Sequence, residues 1–206
     1  MAMTPRIRKL ALTAHLTTSV GWIGSVATFL VLAFAGLKSE NAQVVRAAYL
    51  SMELTTWGII VPLAIASLLT GLVQSVGTEW GLFKHYWIIA KLVIALLATV
   101  ILLVHTGPIG RVAEVAAQTT LGSTDLSQLR VQLIADAVGA IIALLVATFL
   151  SVYKPRGLTP YGRRDLVAAN ATNRAPDWVR IARIVAMILV ALFVVAHLAG
   201  RGMHGH

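Results

Sequence analysis

From Ala11 to Gly36 the chain runs 26 consecutive residues without an Asp, Glu, Lys or Arg. As a helix that run rises about 39 Å, more than the roughly 30 Å of a bilayer's hydrocarbon core. Backbone placed in hydrocarbon must satisfy its own hydrogen bonds, which leaves a helix as the economical solution for an unbroken apolar run. Four further segments have comparable length and character: Trp57–Gln74, Tyr86–His105, Val131–Tyr153 and Ile181–Ala199. The expected fold is therefore all-α, a polytopic transmembrane bundle of about five spans forming one integral membrane domain over residues 1–206. With 58% hydrophobic and 12% charged residues, and a mean hydropathy of +0.82, no segment remains for a separate soluble domain.

Arg6, Arg8 and Lys9 ahead of the first apolar run, with small residues near Ala33 and Ala35, have the outline of a secretory leader. The run is about twice the roughly 7–15 residues of a leader's apolar region, so it is read as an uncleaved first span. Val44, Val45, Ala48, Tyr49 and Met52 recur at helical spacing before the second span, with Glu53 and Thr55 near the interface, and allow it to start earlier. Asp125 is placed to cap the helix entering the fourth span, Pro155 to end it, and Pro176 with Asp177 to open the fifth. The connection Thr106–Gln128 is expected to lie outside the membrane, with a short interfacial helix around Glu114 built on Val112, Val115 and Ala116. Small residues at Gly21 and Ser25, Ser67 and Gly71, and Ala95 and Ala98 offer faces for close helix approach. No internal repeat is evident, which disfavours an inverted-repeat transporter.

Orientation follows from charge. An inward N-terminus puts Arg6, Arg8, Lys9, Lys84, Lys154, Arg156, Arg163, Arg164, Arg174, Arg180 and Arg183 on the cytoplasmic side. Lys38, Arg46, Arg111, Arg130 and Arg201 then lie outside, with Lys91 inside a span. Eleven against five favours N-in and C-out in a bacterial cytoplasmic membrane. Trp57, Trp80, Trp87, Tyr153 and Trp178 all fall near span ends as an aromatic belt. Residues 154–177 read as a basic loop that enforces topology and touches anionic membrane lipid. The net charge of +9 does not indicate a nucleic-acid partner, because the basic residues gather beside apolar spans instead of interleaving with exposed aromatics.

The chain has no cysteine, so disulfides, thiolate metal sites and iron–sulfur clusters are excluded. Any metal or haem must be held by His, Met, Lys or carboxylate. His15 precedes Trp22 by seven residues, about two helical turns, so imidazole and indole share a face, with the histidine roughly 6–8 Å inside hydrocarbon. An ionisable group at that depth is a functional candidate, against the alternative of a buried structural histidine. His15, His85 and Lys91 gather toward the inner leaflet; His105, His197, Asp136 and Glu53 gather toward the outer.

His85 beside Lys84 and Trp87 is read as an interface residue. Lys91 either snorkels inward or neutralises a bound anion such as a haem propionate. His105, fourteen residues on from Lys91, stays on nearly the same face, with Ala95 and Ala98 between them. His105 and His197 are candidate iron or copper ligands through neutral imidazole, with the Asp136 carboxylate behind to orient the ring; two unconnected interface histidines are the competing reading. Met203, His204 and His206 in the tail are a weaker place to gather copper or zinc. No hydrolase triad, phosphate loop or zinc-protease motif is present.

The first span, His15-Leu16-Thr17-Thr18-Ser19-Val20-Gly21-Trp22-Ile23-Gly24, resembles the opening helix of the copper-resistance D-type membrane proteins and related uncharacterised bacterial integral membrane families. The third span, from Tyr86-Trp87-Ile88-Ile89-Ala90-Lys91 to His105, looks like their helix with a Lys near its inner end. A similar pair of helices occurs in the membrane-bound, oxygen-independent protoporphyrinogen oxidases. That likeness implies b-type haem on His15 and a functional role for Lys91. It covers about two of the five spans, and Glu53, Asp136 and the His-bearing tail have no counterpart in the oxidase pattern. Fold-level likeness does not carry the specific oxidation with it.

Three functions stay open at this point. The first is a redox or haem-handling protein holding haem b through His15, Lys91, His105 or His197, with a redox partner or a second copy of the chain. The second is copper homeostasis or transport through the outer histidines and the tail. The third is a non-catalytic scaffold or partner subunit. Whether the protein is an enzyme is left open.

Overall fold

In the computed structural model, residues 3–77, 81–118, 126–155 and 157–169 are described. They form α1 (Pro5–Lys38), α2 (Ala42–Thr55), a π-helical turn (Thr56–Ile60), α3 (Val61–Gly77), α4 (Tyr86–Gln118), α5 (Ser127–Tyr153) and the short α6 (Pro160–Ala169). The fold is all-α, as expected. Four continuous helices are long and apolar enough to cross a membrane: Pro5–Lys38, Ala42–Gly77, Tyr86–Gln118 and Ser127–Tyr153. The expected fifth span Ile181–Ala199, the caps at Asp125, Pro176 and Asp177, and the tail lie outside the described residues.

Helix neighbours close a four-membered ring: α1 packs on α2 and α3, α3 on α4, α4 on α5, and α5 back on α1. Successive helices run antiparallel, so one end of the bundle gathers Met3 against Gly77 (3.3 Å) and Tyr86 against Gly157 (3.3 Å). The described part of this end carries Arg6, Arg8, Lys9, Lys84, Lys154, Arg163 and Arg164, the basic residues expected on the inner side, and it is called the inner end below.

Three helix boundaries differ from the expected span ends. The helix of the second span begins at Ala42, ahead of Trp57 as the spacing of Val44, Val45, Ala48, Tyr49 and Met52 allowed, and α2 continues into α3 through the π turn, where Thr56 Oγ1 donates to Met52 O (2.7 Å). The extra residue of a π turn resets the helical phase, so that Tyr49 and Met52 before it and Ile60 and Ala64 after it face the same core. The third span does not end at His105 in a loop with a separate interfacial helix; α4 continues through Pro108 to Gln118. Burial explains the extension: Ile109, Val112, Ala113 and Ala116 are almost fully enclosed, which stabilises the helix past a proline that interrupts one backbone bond. The fourth helix likewise begins at Ser127, before the expected Val131.

The main apolar core lies toward the outer end, where Trp22, Val26, Phe29, Ala33, Tyr49, Met52, Val112, Ala116, Leu133 and Ala137 pack together. Toward the inner end, the interior between α1 and α3 is lined by hydroxyls. In hydrocarbon a hydroxyl needs a partner, and here Thr18 donates to Ala14 O (2.8 Å) and Thr70 to Ala66 O (2.7 Å), one turn back, as Thr99 on α4 does to Ala95 O (2.7 Å).

Residues 154–177 were expected as a basic loop; the structure replaces part of it with a pinned helix. Thr159 N donates to Lys84 O (3.0 Å) and its hydroxyl to Phe83 O (2.5 Å), with an antiparallel bridge between His85 and Leu158. Gly162 sits so close that a Cβ would collide with the Lys84 carbonyl oxygen. These contacts hold α6 against the inner end of α4.

Candidate functional site

His15 sits on α1 where that helix meets α3. Its Nδ1 lies 3.1 Å from Ser67 O and 3.2 Å from Thr70 Oγ1. A carbonyl can only accept, so Nδ1 carries the hydrogen and Nε2 keeps its lone pair. Gly71 makes the close approach possible: a Cβ there would meet the imidazole Cε1 at 3.0 Å. Ser19 and Ser67 close the hydroxyl chain beside the ring at 2.7 Å. The expected shared face is found, since Trp22 is buried in the core two turns further along α1.

Lys91 lies in the second turn of α4, toward the same end of the bundle as His15. Its ammonium stands over the Trp87 ring, 5.7 Å from the centroid, one turn back on α4. Among the described residues no carboxylate lies within ion-pair distance of Lys91. Two of the expected site residues, His15 and Lys91, therefore lie toward the same end of the bundle, on α1 and α4. His85 belongs instead to the pinned α4–α6 junction, tilted against Trp87 at 6.2 Å.

His105 lies fourteen residues beyond Lys91 on α4, about 21 Å further out. Its Nδ1 donates to Ile101 O (2.8 Å) on its own helix. Its Nε2 meets two groups of α5, the Gln132 amide nitrogen at 3.1 Å and Asp136 Oδ2 at 3.1 Å. His105 and Asp136 lie close together, with Gln132 one turn before Asp136 on α5, but the expected ring-orienting hydrogen bond to Oδ2 is not made. Asp136 Oδ2 is enclosed and, despite its proximity to the ring, has no hydrogen-bond partner. Glu53 is half-buried on α2. His197, Met203, His204 and His206 lie outside the described residues.

Sequence reasoning missed the role of Arg130, which it counted as an outer topogenic charge. Arg130 is 4% exposed, in the first turn of α5. Its guanidinium donates to Tyr49 Oη (2.7 Å) and to Gly36 O (2.5 Å), joining α5 to α2 and to the last turn of α1. No local signal in the sequence distinguishes it from Arg46 or Arg111, because both acceptors are remote in the chain.

Among the described residues no three His, Cys, Asp or Glu side chains gather as a metal site. No protein-family profile, curated protein or solved structure matches the chain.

Proposed function

We propose that this multi-pass membrane protein resides in the bacterial cytoplasmic membrane and holds a b-type haem toward its inner end for redox or haem-handling work. The observation that carries the reading is the His15 tautomer. With Nδ1–H committed to Ser67 O, the imidazole offers its Nε2 lone pair, the arrangement in which a second partner orients a ligating histidine. Lys91, toward the same end of the bundle, supports it as a cation for a propionate. The likeness of these two helices to the copper-resistance D-type proteins and the protoporphyrinogen oxidases points the same way. A haem held there would supply one-electron chemistry. His15 would hold the iron, and Lys91 and the Ser67–Thr70 hydroxyls would fix its surroundings.

The test is the visible spectrum of protein produced with ample haem. A Soret band that His15→Ala abolishes and Lys91→Met largely retains is expected, because the first change removes a bond to iron and the second an electrostatic contact. Protein without Soret absorbance would overturn the reading.

A further inference from the structure

Asp136 presents an enclosed carboxylate oxygen without a hydrogen-bond partner 3.1 Å from a histidine nitrogen. Two electron-rich atoms in such contact repel unless something positive lies between or beside them. The His105 ring is already oriented for that purpose. Nδ1–H is committed to Ile101 O at 2.8 Å, so the nitrogen facing Asp136 is the one with the lone pair. Oδ2 does not accept from the ring, so the pair is not a simple imidazole–carboxylate hydrogen bond.

Cation geometry accounts for the spacing. Ligands about 2.0–2.1 Å from a zinc-type ion, at angles near 100°, lie about 3.1–3.2 Å from each other. Gln132 completes the set. It stands one turn before Asp136 on the same face of α5, and its amide N–H donates to the lone pair of the same His105 nitrogen at 3.1 Å. Amide oxygen and nitrogen exchange places by a flip of the group, which would turn Oε1 toward a cation. Ser127, Gln128, Val131 and Gln132 line a shallow, open depression on the outer part of α5.

We propose that His105 Nε2, Asp136 Oδ2 and Gln132 Oε1 form a binding site for a divalent cation of the zinc type, entered from the outer face. One nitrogen and two oxygens suit a borderline divalent ion, and no thiolate or thioether is among the donors. The site is about 21 Å along α4 from Lys91 and uses no residue of the proposed haem site.

The experiment is Co(II) titration of the full-length protein in detergent. Co(II) serves as a spectroscopic stand-in, followed by its visible d–d absorption and by Zn(II) competition. One equivalent of Co(II), displaced by Zn(II), is expected. His105→Ala and Asp136→Asn should each weaken binding about 10-fold or more, while His204→Ala/His206→Ala should leave it unchanged. Gln132→Glu, which keeps the shape and adds a charged oxygen donor, should tighten binding and thereby separate a ligand role from a packing role. The proposal is overturned if Co(II) does not bind, if the tail double variant removes binding, or if Gln132→Glu and Asp136→Asn bind as the wild type does. Soret absorbance reports separately on haem, so failure of either site is seen independently of the other.

Discussion

Arg130 of α5 and Tyr49 of α2 meet at 2.7 Å through the arginine Nε and the phenolic oxygen, with the guanidinium carbon 5.5 Å from the ring centroid. The same guanidinium donates to Gly36 O, a carbonyl in the last turn of α1 where no helical N–H remains to satisfy it. One cation therefore closes a helix end and fastens three helices. Among the described residues it makes no ion pair with a carboxylate.

Removing that cation should be costly. Arg130→Ala leaves the Tyr49 hydroxyl and the Gly36 carbonyl without their partner in an enclosed place, at about 2–4 kcal/mol. Tyr49→Phe removes one neutral acceptor and should cost roughly 1–2 kcal/mol. Arg130→Lys should fail to restore stability, because an ammonium lacks the planar fork that reaches both acceptors. Thermal unfolding in detergent checks the ranking; an Arg130→Ala protein as stable as the wild type would refute the account.

Gly36 should resist substitution for a different reason. A Cβ there would lie 2.7 Å from the Tyr49 ring, so Gly36→Ala forces ring or helix to move, at about 1–3 kcal/mol. Tyr49→Ala removes the obstacle. A double-mutant cycle should show the Gly36→Ala penalty shrinking by at least about half in the Tyr49→Ala background, and additivity of the two changes would rule out the contact as its cause.

The absence of native cysteine makes the topology directly readable, since an introduced thiol is the single one in the chain. Asn41→Cys in the α1–α2 turn and Gln118→Cys at the end of α4, both exposed, should react in intact cells with a membrane-impermeant maleimide. Thr4→Cys and Arg163→Cys should react after permeabilisation alone. Reaction of Arg163→Cys in intact cells would reverse the orientation.

The α4–α6 pin should govern protection of the inner face. Thr159→Val loses the bond to Phe83 O, and Gly162→Val drives a side chain into the Lys84 carbonyl. Limited trypsin cleavage at Arg163 and Arg164 in inside-out vesicles should speed up several-fold in both variants, as local opening exposes the backbone. Unchanged cleavage rates would show that the pin holds nothing in place.

The apolar runs, read by length alone, determined that the chain is all-α and multi-pass, and the basic residues near their ends determined which way it is expected to thread. Helical period placed His15 and Trp22 on one face and Lys91 and His105 on another, because a face within one helix depends on spacing and nothing else. Which faces meet is a matter between helices, and here tertiary structure decided. It set Ser67 and Thr70 behind His15 from more than fifty residues away, and Gln132 beside His105 and Asp136. It carried α4 past Pro108, since the burial that stabilises the extra turns comes from neighbouring helices. It also made Arg130 an enclosed fastener, by supplying acceptors 81 and 94 residues distant, while in sequence an arginine near a span end reads as a topology charge.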